Sequence, residues 1–238
     1  MRAFYLLFFF MNMNLSNLKS LSDQFIYTLI SSAAASRKEK IYRYFLVIAK
    51  ERKLNSIKIY ELLLQNYLFA GFPSALNSLK IFNEYFPNSK RSFTLVKDLK
   101  IIGEKNCRKI YGEKFEKLIS NINEFSPELS QWLIEEGYGK VFGRKSVSLR
   151  ERELSIISVL SVLKFENQLY SHINGAYRLK INLKIIEKNI KVLDFLGNRS
   201  YSRFGLKVLH YFKNDKISNK KIKSIFNRNN SKLFNNSL

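Results

Sequence analysis

Apolar residues recur at every third or fourth position over most of this chain, and little interrupts them: 238 residues contain only 3 prolines and 9 glycines. A 3.6-residue period with so few breakers is the pattern of amphipathic α-helices, whose apolar stripes must be buried against other helices. The pattern predicts an all-α protein. Hydrophobic residues make up 46% of the chain and aromatic residues 14%, which is a globular composition and excludes a disordered chain. The length allows one helical domain or two fused halves.

Local signals place the helices. Ser22-Asp23 can cap a short helix to about Ser32, and a second runs from Lys38 to Arg52 with Ile41, Tyr44, Phe45 and Ile48 on one face. Asn55-Ser56 caps a third, with an apolar stripe that includes Ile57, Ile59, Tyr60, Leu63 and Leu64. Gly71-Phe72-Pro73 is expected to stop it and start the next, with the proline in the first turn. Ser92 is expected to open a helix that is interrupted around Gly103. Tyr111-Gly112 is a turn, Glu113 to Phe125 is amphipathic, and Pro127 starts a short helix that Gly137 closes. The stretch Tyr138 to Arg144 then reads as a loop or short extended segment. Ser148 with Glu151 three residues on is a capping box. Helices from Glu166 to Arg178, from Asn182 to Gly197 and from Ser202 to Phe212 complete the reading.

The formal charge of +22 is a nucleic-acid signal in principle. Here the excess is mostly lysine, is spread along the chain and travels with Asn and Ile. A solvated surface is therefore expected; nucleic acid remains a possible partner but not the favoured one. The tail, residues 213–238, concentrates basic residues with Asn and Ser and reads as a poorly packed basic extension. Cys107 is the sole cysteine, so no intramolecular disulfide can form and a reducing, cytoplasmic setting is expected. The apolar run Met1 to Met11 is shorter than the about 20 residues a membrane-spanning helix needs. Residues 1–20 are expected to be a leader, or an over-extended start with the true one at Met11 or Met13, and no membrane association is expected. No histidine or acid spacing fits a metal, and no phosphate-binding glycine loop is present.

One pair stands out chemically. Glu153 opens an apolar helix and His172 lies nineteen residues later in the next. Two helices joined by a short turn can bring these groups face to face, and an imidazole gives or takes a proton near neutrality. His172 is the candidate acid/base, Glu153 its orienting partner, and Arg144 and Arg152 are candidates to hold a substrate carboxylate bidentately. A buried Glu-His pair can also serve packing alone.

Two blocks carry a family resemblance. One is Glu61 to Asn77, ending in Phe69-Ala70-Gly71-Phe72-Pro73. The other runs from Tyr138-Gly139 through Arg152-Glu153-Leu154 to His172 and Gly175-Ala176. Over roughly residues 38 to 200 the chain resembles the carboxymuconolactone decarboxylase family, which includes the alkyl-hydroperoxidase D-type (AhpD-like) proteins. The Gly-Phe-Pro block ordinarily follows the His block in that family, yet here it precedes it. This suggests two fused family-like halves in an AhpD-like bundle: residues 21–90, degenerate and without the histidine, and residues 91–212.

The peroxidase-type members place a Cys-x-x-Cys pair between the glutamate and the histidine. Those positions are Phe165 and Gln168 here, and neither can form a thiolate, so peroxidase activity is not expected. The resemblance implies a cofactor-free lyase acting on a small lactone or keto acid, working as a homo-oligomer. A catalytically silent scaffold or interaction protein is the first alternative, and a basic nucleic-acid-binding protein the second.

Overall fold

The structure, a computed structural model, describes residues 20–89 and 97–235, with side chains described as far as residue 218. The apolar run at the N-terminus and Ser92 lie outside the described residues. The fold is all-α, and no strand occurs among the described residues. The helices are α1 (Asp23–Ala35), α2 (Glu39–Glu51), α3 (Ser56–Gln65), α4 (Tyr67–Tyr85), α5 (Leu99–Tyr111), α6 (Phe115–Asn123) and α7 (Pro127–Trp132). A π-helix (Leu133–Val141) follows, then α8 (Leu149–Leu163), α9 (Glu166–Arg178), α10 (Leu183–Lys191) and α11 (Arg199–Asn235). No described helix is long and apolar enough to cross a membrane.

Local chemistry explains many of the ends. Asn55 accepts hydrogen bonds from the amides of Ile57 and Lys58, and Asn182 from that of Lys184. At α8 the Glu151 amide donates to Ser148 Oγ at 3.3 Å, and the Ser148 amide donates to Glu151 Oε2 at 2.9 Å, so the expected capping box is closed in both directions. Gly112 ends α5 at φ +58°, and Gly197 ends the short 3-10 turn Val192–Leu196 after α10 at φ +68°, a region that favours glycine.

The centre of the fold is α8. Eleven consecutive residues, Arg152 to Val162, are buried, so this helix has core on all sides. One apolar cluster is built from α1 to α4 and includes Val159 and Val162 of α8 and Leu193 and Leu196 beyond α10. The other gathers α5, the π-helix, α9, α10 and α11 around Leu154, Ile156, Ile157 and Leu160. Polar ties cross the core. Thr28 Oγ1 of α1 donates to Asn189 Oδ1 of α10, whose Nδ2 donates to the Leu154 carbonyl and Ser158 Oγ, all at 2.8 Å. Asn66 and Ser31 exchange two further bonds at 2.9 Å.

Tertiary packing corrects the local reading in several places. The third helix breaks first at Asn66, where that Ser31 pairing holds the side chain. The expected break at Gly71 is present as a kink at φ +81° within α4. On α3 the buried face includes Glu61, Leu62 and Gln65, whereas Ile57 is exposed. Gly103 does not interrupt a helix; α5 runs through it. Gly137 does not close one either, and the stretch from Tyr138 is helical to Val141 rather than extended.

These corrections share a cause. A Cβ on Gly103 would lie 2.1 Å from the Ile134 carbonyl oxygen, and one on Gly139 would lie 2.3 Å from that of Leu99. Two glycines thus let the backbones of α5 and the π-helix touch. The widened turn, with the Phe142 amide donating to the Gly137 carbonyl five residues back at 3.1 Å, keeps Tyr138 buried. Finally, the last helix does not stop at Phe212. The basic tail continues α11 as helical backbone to Asn235.

Substitution separates the glycines that make contact from those that do not. Gly103→Ala is expected to lower unfolding free energy by about 3 kcal/mol, because backbone and not a flexible side chain occupies the space. Gly137→Ala, whose Cβ meets nothing within 4 Å, is expected to leave stability unchanged or slightly raised. Urea midpoints of the two variants check this.

Candidate functional site

Arg152 and Glu153 are consecutive on α8, and both are wholly enclosed. Adjacent helical residues point about 100° apart. The two charges therefore face different neighbours, Arg152 towards α3 and Glu153 towards α9.

Glu153 meets His172. The distance from Oε2 to Nδ1 is 2.9 Å, with His172 only 6% exposed. Nδ1 is the ring nitrogen that faces the carboxylate, and an ionised carboxylate only accepts. Nε2 makes no hydrogen bond among the described residues. The Phe69 ring meets the imidazole edge-on, 5.7 Å between centroids at 81°, and fixes its plane. Gly175 makes room for α5: a Cβ there would stand 2.6 Å from Ile110 Cγ2, while Glu153 Oε2 would be 3.4 Å away. The second carboxylate oxygen, Oε1, is buried with no hydrogen-bond partner among the described residues.

The surroundings are protonated groups. Tyr138 donates to Tyr111 through their hydroxyls at 3.0 Å. Burial pushes both phenols up, and the Glu153 carboxylate adds to the effect. The Cys107 thiol is pushed up to about 12, chiefly by burial, with Arg108 opposing and Glu153 reinforcing the rise. That thiol is therefore not a nucleophile in the folded chain.

Arg152 belongs to a second cluster. Its Nη2 donates to Glu61 Oε2 at 3.1 Å and to the Arg144 carbonyl at 3.2 Å, and its Nη1 donates to Gln65 Oε1 at 3.0 Å. Arg144 clamps the same carboxylate, with Nε 2.9 and 2.8 Å from its two oxygens and Nη2 2.6 Å from Oε1. One carboxylate thus holds two guanidiniums. Burial lowers the Arg152 pKa from its ordinary value, while Glu61 raises it back; the Glu61 hydrogen bonds raise that of Arg144.

The structure thus brings Glu153 and His172 together and commits Arg144 and Arg152 to Glu61. Glu61 and Gln65 were not singled out from sequence, although their four-residue spacing among leucines is a visible signal of a polar pair on a buried face. Tyr111 and Tyr138 carried no signal beyond aromatic core. Phe165 and Gln168 lie exposed at the start of α9. His210 is on the surface beside Asn214. No group of three or more His, Cys, Asp or Glu side chains able to hold a metal occurs among the described residues.

Comparisons with protein-family models, with curated proteins and with solved structures find no match.

Two outcomes follow from the electrostatics. Glu61→Ala strands Arg152 in the core and is expected to cost about 3–5 kcal/mol in urea unfolding, whereas the same change at exposed Glu39 should be near neutral. Cys107 is expected to resist a disulfide thiol reagent in the folded chain at about pH 8 and to react on unfolding. Its folded pKa is raised, so the stability this thiol contributes is complete below its ordinary 9.0. It is lost as pH climbs from there towards about 12, and alkaline unfolding midpoints of the wild type and Cys107→Ala read that difference.

Proposed function

We propose that Glu153 and His172 form a cofactor-free acid/base site. In this reading the chain is a decarboxylase-type lyase acting on a small lactone or keto acid, as its resemblance to carboxymuconolactone decarboxylases implies. The observation that carries this is the 2.9 Å bond from Nδ1 to Glu153, which leaves Nε2 as the imidazole's unengaged polar atom.

The chemistry uses few parts. When a carboxylate leaves as carbon dioxide, the electron pair of the broken carbon–carbon bond passes into an adjacent carbonyl as an enolate. Protonated His172 delivers its Nε2 proton to the carbon and regains one from water. Glu153 stabilises the imidazolium and sets its tautomer. Arg144 and Arg152 both hold Glu61; Arg144, whose side chain keeps 13% of its surface accessible, is the one that would have to exchange Glu61 for a substrate carboxylate. An AhpD-like bundle made from two halves belongs to the same reading; the two apolar clusters and the order of the two sequence blocks support it. So does a homo-oligomer, for which Phe72 and Leu76, 66% and 64% exposed, offer an apolar edge on α4.

One observation favours a second reading. The pair is nearly closed to solvent, as it would be in a catalytically silent scaffold. A panel of lactones and keto acids, followed by carbon dioxide release and ultraviolet change, distinguishes the two. The lyase reading expects turnover that His172→Ala abolishes and Glu153→Gln lowers about 10²–10⁴-fold. Turnover that survives both substitutions removes the site, and a wild type inert across the panel favours the scaffold.

A further inference from the structure

A concavity lies on another part of α9, away from the Glu153–His172 pair. Asn174 is two residues beyond His172, about 200° round the helix, and therefore faces away from the Glu153 pair. The pocket it lines has a volume of about 620 Å³ and sits among the last turns of α5 and α9, the turn into α10, and α11. Its lining includes Arg108, Lys109, Arg178, Lys180 and Lys216, with no carboxylate.

The bland account is that basic residues at helix C-termini offset the macrodipole, worth about half a charge per helix. One observation goes beyond it: part of the charge is uncompensated. Arg108 pairs with Glu116 at 2.7 Å, and Lys216 lies over the Tyr177 and Phe212 rings. Lys109, Arg178 and Lys180 have no ion-pair partner among the described residues, although they share one concave lining.

The site is also shaped. Gly112, at φ +58°, has no Cβ, and a Cβ there would stand 2.0 Å from Arg178 Nη1. The guanidinium therefore lies across the bare turn, which positions a planar, bidentate donor at the pocket.

We propose that this pocket binds a small phosphate-bearing anion, with Lys109, Arg178 and Lys180 as its ligands. A multivalent phosphate matches the set. It carries more than one negative charge, its oxygens only accept, and the volume exceeds a single phosphate group. A monocarboxylate would neutralise too little of the charge.

The test uses the full chain and titration calorimetry with pyrophosphate, with acetate and a single-stranded oligonucleotide as comparison probes. Saturable binding at one site is expected. Lys109→Gln and Arg178→Gln should each weaken it about tenfold or more, the size of one lost charge-assisted hydrogen bond. Lys40→Gln, an exposed lysine on distant α2, should change it less than about twofold. Lys109 is exposed, so its variant reports on binding even if Arg178→Gln disturbs folding. Absence of saturable binding overturns the proposal. So do equal losses in the Lys109 and Lys40 variants, acetate binding as tightly as pyrophosphate, or an affinity seen only with the oligonucleotide.

Discussion

A guanidinium with no solvent contact is the constraint around which the rest of this molecule is arranged. Arg152 sits at the start of the most buried helix, and an unpaired cation there would cost several kcal/mol. Glu61, Gln65 and the Arg144 carbonyl take up that charge from α3 and from the segment before α8. The arrangement is a weak source of net stability, since an apolar substitute of similar volume can do as well. Its effect is on geometry. Ion pairs at 2.6 to 3.1 Å accept little rotation or sliding, so α3 and α8 are locked in one register.

That lock determines where Glu153 points. Once Arg152 is turned to α3, the next residue must face α9, and there it finds His172. The capping box fixes the first turn of α8 from the other direction, and Glu151 of that box also pairs with Lys58 of α3 at 2.5 Å. Three successive residues, Glu151, Arg152 and Glu153, thereby connect α8 to two different helices. Small residues extend the contact deeper. Ser31 to Ala35 on α1 and Ser155, Ser158 and Ser161 on α8 are all buried, and Asn189 ties the two helices through Thr28 and Ser158.

Features decided within a few residues were legible in the sequence. Ser148 with Glu151, Asn55, Asn182, Gly112 and Gly197 all act on their own backbone, and the structure has each where local rules put it. The meeting of Glu153 with His172 was legible for a similar reason, because a short turn between two helices leaves little freedom over nineteen residues. Gly103 and Gly139 were misread because a glycine that permits a close approach looks the same in sequence as one that ends a helix or marks a loop. Asn66 and Glu61 were missed because their partners are 35 and 91 residues distant. Sequence period says that a face is buried; it does not say that a charge on that face has a partner.

Enclosure also decides which of the buried groups can do chemistry. Cys107, Tyr111, Tyr138, Glu153 and His172 share one core, and burial acts on them unequally. The thiol and the phenols are held protonated far above neutrality, both by desolvation and by the carboxylate beside them. They can donate hydrogen bonds but cannot attack. The imidazole differs in having a charged partner of its own, the Glu153 carboxylate at 2.9 Å. The same desolvation holds the chain's only thiol protonated, so the proton transfer proposed above falls to His172 and not to Cys107.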